Sequence, residues 1–493
     1  MYIGSCQLMK KYDEYLLDSG YSITELVDKA SDCLVKHIDG NSMSFLCGPG
    51  NNGADGLSSA IKKKNQGCQV KVFIFEREKI SLANKYYLEQ CLLEDIEVCL
   101  ITEQNLKLVI EQLKNSDVVV DAMFGFGLNS TPRGLYQNII DAINLIENIH
   151  VIAVDIPSGL NGDTGYAYEC VLKADKTISL TCLKNGFLNP ESYLYTGKVI
   201  VEKLDVDNNF QAVGLYKWAD EKVVLPIIKE RKYDGHKGTY GHVGMITGCD
   251  EYKGASLMST KSCVYSGSGV VTTITKSQVI QALTQYCPEA TTVLRPSRFQ
   301  KVDFEKYDAL LVGSGLGLTR DAYHYVEDVF QLTTKPLVVD GDALTILSTH
   351  KELLLLQNRE VILTPHMKEF ERLCPDFDET NLLEVASSFA KKYHVVLVLK
   401  GPHTMISDGT VSYRVSTGNK AMSVGGMGDV LAGMITSFLG QGYSALESAL
   451  LGVYIHGYIG DVIAKNAYSV IPSRLIEYIP QIMHELLMKK NNL

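Results

Sequence analysis

The chain has 493 residues, 46% apolar and 21% charged, with a formal net charge of -10. That length exceeds what one hydrophobic core usually supports, so two domains are expected. The acidic balance excludes a general nucleic-acid binder, and no apolar run is long enough to span a membrane, so a cytoplasmic protein without membrane contact is expected.

Residues 1–11 contain no apolar signal core. The apolar run 43–47 leads into Gly48-Pro49-Gly50-Asn51-Asn52-Gly53-Ala54-Asp55-Gly56, and helical residues follow. A strand, a Gly-rich turn and a helix start form a cradle for an anion: glycine permits close backbone approach, and free N–H groups face the ligand. The alternative is a tight turn with no ligand. Residues 70–75, 118–121 and 150–155 read as β-branched strands, with helical patterns at 81–93 and 104–113 between them. Strands alternating with helices argue for a parallel sheet covered on both faces, with ligands bound beyond the carboxyl ends of the strands. Asp121 and Asp155 lie at two such ends, followed by Gly125-Phe126-Gly127-Leu128-Asn129-Ser130-Thr131 and by Ile156-Pro157-Ser158-Gly159.

A strand at 198–201 ends this half, and the polar run 205–209 marks a boundary. The expected division is a first domain over 1–206, a connector over 207–229 and a second domain over 230–493. In the second domain, residues 243–246, 309–312, 337–340, 361–363 and 395–399 read as buried parallel strands, and 428–439 and 445–464 as helices. The fold class is α/β, with two three-layer αβα domains. The twelve cysteines include no Cys-x-x-Cys pair and read as small buried hydrophobes in a reducing compartment.

The run Ser423-Val424-Gly425-Gly426-Met427-Gly428-Asp429 carries chemistry. A Gly-rich turn entering a helix presents backbone N–H groups that stabilise a transferring phosphoryl group. Asp429 is then placed to remove the proton of a substrate hydroxyl. The competing role for Asp429 is that of helix N-cap. Asp340 and Asp342 read equally as metal ligands or as turn and capping residues. His366 reads as a substrate contact, because no second His stands at ligand spacing.

Gln7-Leu8-Met9-Lys10-Lys11-Tyr12-Asp13, Asn51 to Gly56 and Val154-Asp155-Ile156-Pro157-Ser158-Gly159 together resemble the NAD(P)H-hydrate epimerase family, over roughly residues 1–205. The resemblance implies a Rossmann-like domain. It implies substrate contacts from Asn51, Asn52, Gly53, Ala54 and Asp55 and from Gly125 through Thr131. It also implies a potassium ion held by Asn52, Asp121 and Ser158. Asp155 is the implied proton-transfer group beside the nicotinamide, with Lys184 as a second.

The second half resembles the ribokinase-like superfamily, and within it the ADP-dependent NAD(P)H-hydrate dehydratases. The resemblance rests on Lys237-Gly238, Asp340-Gly341-Asp342, Thr364-Pro365-His366-Met367-Lys368-Glu369, Lys400-Gly401-Pro402-His403-Thr404 and the Asp429 motif. It implies a hydrated nicotinamide near Ala255, Gly315, His366 and Asp429, and an adenine nucleotide on Lys400, Gly401, Pro402, His403, Thr404 and Gly428. Ser314 stands where Pro is usual in that family, and Met427 where Thr is usual. The implied partners are hydrated NADH or NADPH, ADP and AMP, magnesium and further copies of the chain in a homo-oligomer. The rival reading is a ribokinase-like small-molecule kinase, acting on a thiazole or pyrimidine alcohol, joined to a non-catalytic binding module.

Overall fold

The computed structural model describes residues 2–76, 79–147, 149–206, 216–355, 358–375 and 382–492. The chain divides into two compact units, Met1–Leu215 and Tyr216–Leu493.

The first unit contains β1 (Tyr2–Gly4), β2 (Ser42–Cys47), β3 (Gln69–Phe75), β4 (Glu97–Ile101), β5 (Val118–Ala122), β6 (His150–Val154), β7 (Lys176–Leu180), β8 (Leu183–Lys184) and β9 (Lys198–Glu202). Seven of these form a parallel sheet in the order β4-β3-β2-β5-β6-β7-β9. Alternation along β2 sends Phe45 into one core and Leu46 into another. The first core packs against helices Ile23–Leu34, Asn51–Asn65 and Leu82–Leu93. The second packs against Leu106–Lys114 and Leu135–Ile143. The result is three layers, as expected. Strand order reverses between β2 and β5, so the loops after these two strands diverge and leave a crevice. β1 pairs with β8 in parallel, placing Gly4 opposite Lys184.

The second unit contains β10 (Tyr216–Ala219), β11 (His242–Ile246), β12 (Val270–Thr275), β13 (Thr291–Leu294), β14 (Ala309–Val312), β15 (Leu337–Val339), β16 (Val361–Leu363), β17 (Val396–Leu399), β18 (Met405–Ser407) and β19 (Ser412–Val415). Their order is β13-β12-β11-β14-β15-β16-β17-β18-β19-β10. The strands from β13 to β17 are parallel, β17, β18 and β19 run antiparallel in turn, and β10 lies parallel to β19. Val243, Met245, Leu311 and Val338 face a core shared with helices Met427–Gly440, Ala445–Ala464 and Pro472–Asn491. Their alternates Ile246, Leu310, Val312 and Val339 are equally buried, so both faces are covered. Phe438 is fully buried here, a contribution of about 1.5–3 kcal/mol for such a side chain.

The unit boundary differs from the one expected at 230. β10 lies in the stretch read as connector, pairs with β19, and is followed by Val224, Leu225 and Ile228 in the second core. The polar run at 205–209 resembles a linker, and the mixed stretch after it follows neither a strand nor a helix period for long. All twelve cysteines are free thiols. Among the described residues no helix is long and apolar enough to cross a membrane.

Two candidate active sites

In the first unit, the crevice opens as a cavity of about 510 Å³. Helix Asn51–Asn65 begins there with Gly50 as N-cap and no capping side chain, so its first N–H groups remain available to a ligand. Asn51, Asn52 and Asp55 line the cavity, as do residues 125–129. Gly53 and Ala54 lie beneath the lining. A Cβ on Gly53 would overlap the carbonyl oxygen of Gly48, and Ala54 is buried in the core. Ser130 is exposed, and neither it nor Thr131 belongs to the lining.

Asp155 ends β6 with φ 65°, a left-handed conformation that a non-glycine residue seldom adopts. This turn aims its carboxylate at β7 and β8. Lys184 donates to Asp155 Oδ1 at 2.6 Å, and the Leu180 N–H donates to the same oxygen at 3.1 Å. Lys184 is 1% exposed and also donates to Leu180 O at 2.9 Å, with Ser179 Oγ at 3.3 Å. Burial alone would lower the Lys184 pKa, but Asp155 outweighs it and holds the ammonium charged. The sequence brought Asp155 and Lys184 forward separately; the fold makes them a pair.

Sequence reasoning gave no role to Asp13, which also lines the cavity from helix Cys6–Asp18. Burial and then the charge of Asp155 push its pKa up to about 7. Asp55 is raised well above the usual carboxylate range by burial, then by Asp155 and Asp13.

Asp121 and Ser158 form a separate buried node beside this cavity. Ser158 donates through Oγ to Asp121 Oδ1 at 2.7 Å and through N to Oδ2 at 2.8 Å, and Met123 N donates to Oδ1 at 3.1 Å. Burial raises the Asp121 pKa to about 6 against these donors. Asn52 approaches Gly125, and its amide nitrogen is buried without a partner. Amide oxygen, carboxylate and hydroxyl are the hard donors that an alkali cation prefers, and no lysine or arginine contacts Asp121 among the described residues. By chemical type these donors suit such an ion.

In the second unit, helix Met427–Gly440 has Gly426 as N-cap, at φ 94° and with no capping side chain. Asp429 is the third residue of the helix, so it is not the cap. Its carboxyl is pushed up to about 7 by burial and then by Asp340, against the lowering effect of Lys400 and a hydrogen bond from Ser314. Asp340 ends β15 and is 3% exposed. It accepts from Lys400 Nζ at 3.0 Å, Thr364 Oγ1 at 2.7 Å and Ser314 Oγ at 3.0 Å. A side chain on Gly428 would come within 3.2 Å of Lys400 Nζ, so the ammonium lies against the first turn of the Asp429 helix. Burial, which lowers the Lys400 pKa, is outweighed by Asp340 and Glu369, and the lysine stays charged.

Gly315 packs against Tyr252 and Ala255, which brings the expected residues 255 and 315 together. His366 caps helix Met367–Leu373 in a reciprocal box with Glu369, leaving its ring half exposed. Pro365 therefore lies just outside the helix. Lys400 N donates to Pro365 O at 2.8 Å, joining this cap to the loop at 400–404. Gly401 and Pro402 are exposed, and His403 has φ 52°. Asp342 is the first residue of helix Asp342–Thr349 and accepts from Gly317 N at 2.8 Å. Asp340 and Asp342 are thus engaged by the protein, and among the described residues no group of three His, Cys, Asp or Glu side chains is gathered for a metal.

Residues 14–186 match the family described as YjeF-related protein N-terminus, and residues 243–481 match the family described as NAD(P)H-hydrate dehydratase. A relative from Thermofilum pendens, called bifunctional NAD(P)H-hydrate repair enzyme Nnr, is 32% identical over 465 residues, covering 90% of this chain and 88% of its own. A Staphylococcus aureus protein called ADP-dependent (S)-NAD(P)H-hydrate dehydratase is 38% identical over 263 residues, or 52% of this chain and 94% of its own. A crystal structure of a hypothetical protein from Streptococcus mutans matches with TM-score 0.50 and 33% identity, covering 55% of this chain and all of that one.

Proposed function

Because the chain belongs to the bifunctional NAD(P)H-hydrate repair enzymes, we propose that its two sites perform successive steps on one damaged cofactor. The first unit interconverts the R and S hydrates of NADH and NADPH. The second dehydrates the S form with ADP, giving NAD(P)H, AMP and phosphate. The kinase reading accounts for only the second unit, whereas the Thermofilum pendens relative spans both.

The observation that carries the dehydratase assignment is Asp429 at an uncapped helix N-terminus beside Lys400. Asp429 takes the proton of the substrate hydroxyl, and the oxygen attacks the terminal phosphorus of ADP. The bond from that phosphorus to AMP breaks, and AMP leaves. The N–H groups of residues 427–429 and the Lys400 ammonium face the charge that develops on the phosphoryl oxygens. Phosphate then departs with the C–O electron pair, and loss of a proton from the adjacent ring carbon restores the double bond. Asp340 holds Lys400 in place and keeps it charged. Residues 400–404 receive the nucleotide, and Ala255, Gly315 and His366 receive the nicotinamide. Magnesium would offset phosphate charge when bound; Asp340 and Asp342 already accept from Lys400, Thr364, Ser314 and Gly317, so this chain would add few ligands of its own to those of the phosphates.

In the first unit Asp155, held in place by its hydrogen bond from Lys184, is the proton acceptor. Asn52, Asp121 and Ser158 hold potassium, which supplies the positive charge that a buried Asp121 carboxylate lacks. Homo-oligomeric assembly and residence in the cytoplasm complete the proposal. The test follows reduced-ring absorbance after mixing the protein with hydrated NADPH and ADP. A mixture of epimers recovers fully if both units act, and only its S fraction recovers promptly if the second acts alone. No recovery, with stable phosphorylation of another alcohol, contradicts the proposal.

A further inference from the structure

Inverting a ring carbon that bears a hydroxyl requires two proton transfers. The C–O bond breaks with its electron pair on oxygen, and that oxygen needs a proton to leave as water. The neighbouring ring nitrogen shares its lone pair with the carbon. A water then adds from the other face and gives a proton up. Asp155 is suited to one transfer only. Lys184 and the Leu180 N–H both donate to its Oδ1, an arrangement that fits it as a proton acceptor.

Lys184 does not serve the other transfer. Its ammonium is committed to Asp155 Oδ1, Leu180 O and Ser179 Oγ, and it is 1% exposed. An ammonium has three protons, and each has an acceptor within the fold. Two titratable groups remain in the cavity lining, Asp13 and Asp55.

Asp13 occupies a specific place. Met9, Asp13 and Leu17 follow one another at four-residue spacing on helix Cys6–Asp18, and all three line the cavity. This stripe is apolar except for the one carboxyl. Among the described residues no hydrogen-bond donor reaches that carboxyl, and Lys184, the one cation near it, is already paired with Asp155. A half-exposed carboxyl on an apolar cavity wall, with no hydrogen-bond partner among the described residues, is left free to serve a ligand. Asp55 lies in the second turn of helix Asn51–Asn65, beside Asn51 and Asn52 at the anion cradle, and is placed to hold the substrate by a hydrogen bond.

We propose that Asp13 is the second proton-transfer group of the first site. It protonates the departing oxygen while Asp155 accepts the proton of the incoming water, and the roles exchange in the reverse direction. This rests on the epimerase reading of the first unit. The charged and titratable groups facing Asp13 are Asp155 and Lys184 from the strand ends, Asp55 from helix Asn51–Asn65 and Glu14 on its own helix.

The experiment uses the full chain and the pure R hydrate of NADPH, with conversion to the S hydrate followed by chromatography. Asp13→Asn is expected to lower kcat by about 10²–10³-fold, with KM changed by less than about threefold. Its residual rate no longer varies with pH around neutrality. Adding formate to Asp13→Ala is expected to restore rate in proportion to its concentration. Unchanged dehydration of the S hydrate by the same variants shows that the second unit is intact, and rescue by formate shows that the first is folded. A native kcat and pH profile in Asp13→Asn overturns the proposal, and so does a slow variant that formate does not rescue and whose pH profile is native. If the wild-type chain does not convert the R hydrate, the epimerase reading fails and takes this inference with it. If Asp155→Asn is inactive and Asp13→Asn is not, only this inference fails.

Discussion

Lys184 Nζ lies 2.6 Å from Asp155 Oδ1, with the two side chains 1% and 7% exposed. Removing one member of such a pair leaves a buried charge uncompensated, at a cost of about 3–5 kcal/mol. Lys184→Met is therefore expected to lower the unfolding midpoint of the first unit and to abolish epimerisation. Adding Asp155→Leu to that variant recovers much of the stability and none of the activity. Denaturant melts beside R-hydrate turnover measure both. A single variant as stable as the wild type would show that the pair is not buried in solution.

Asp429 is a base only without its proton, and its pKa is held up to about 7 by burial and by Asp340. The carboxyl is protonated below that value. Hence kcat/KM for dehydration falls as pH drops through about 7, approaching tenfold per unit below it. Asp429→Asn should lose at least about 10³-fold in kcat while its ADP affinity stays within a few-fold. Steady-state rates from pH 5.5 to 9, with calorimetry for ADP, provide the check.

Asp121 offers a test of potassium that does not depend on activity. Its folded pKa, about 6, lies above the 3.8 of an ordinary Asp. The folded chain therefore binds this proton more tightly than the unfolded chain. Its contribution to stability is present at low pH and is lost as pH rises through about 6. A cation at Asp121 reverses the loss by favouring the carboxylate. Melting temperature at pH 8 is expected to be several degrees higher in potassium chloride than in tetramethylammonium chloride, with little difference at pH 5. Asp121→Asn removes the difference. Equal melting curves in both salts would refute the site.

The chain has one tryptophan, and Trp218 on β10 lies 5.4 Å, ring to ring, from His403 in the loop at 400–404. ADP bound on that loop is expected to change tryptophan emission in a saturable titration. His403→Ala weakens the affinity read from the titration by several-fold. Unchanged emission at an ADP concentration that calorimetry shows to be saturating would place the nucleotide elsewhere.

What could be read from the sequence depended on periodicity and spacing. The β-branched run at 118–121 and the apolar run at 309–312 became β5 and β14, and the Gly-rich stretches became uncapped helix starts. β10 was hidden because Tyr216-Lys217-Trp218-Ala219 is short and joins an edge formed by β19. Thr-rich β12 carried no continuous apolar run. Asp13 was hidden for another reason. A single Asp on an amphipathic helix ordinarily faces water, and only tertiary placement turns this one toward Asp155. The engagement of Asp340 by Lys400, Thr364 and Ser314 likewise joins four separate segments, a convergence that no local spacing encodes.

Helix Met427–Gly440 is buried without a break from Val430 to Gly440. At Gly433 it approaches helix Lys253–Tyr265 so closely that a Cβ would overlap Ser259 O and Ser262 Oγ. The backbone carrying Asp429 is thus among the last parts of the unit to open. The amide protons of residues 430–440, which follow Asp429 in the helix, should exchange with deuterium only through global unfolding, whereas those at 400–404 exchange through small local excursions. Asp429 therefore holds its position like an anvil, and adjustment to each arriving nucleotide falls to the opposing loop.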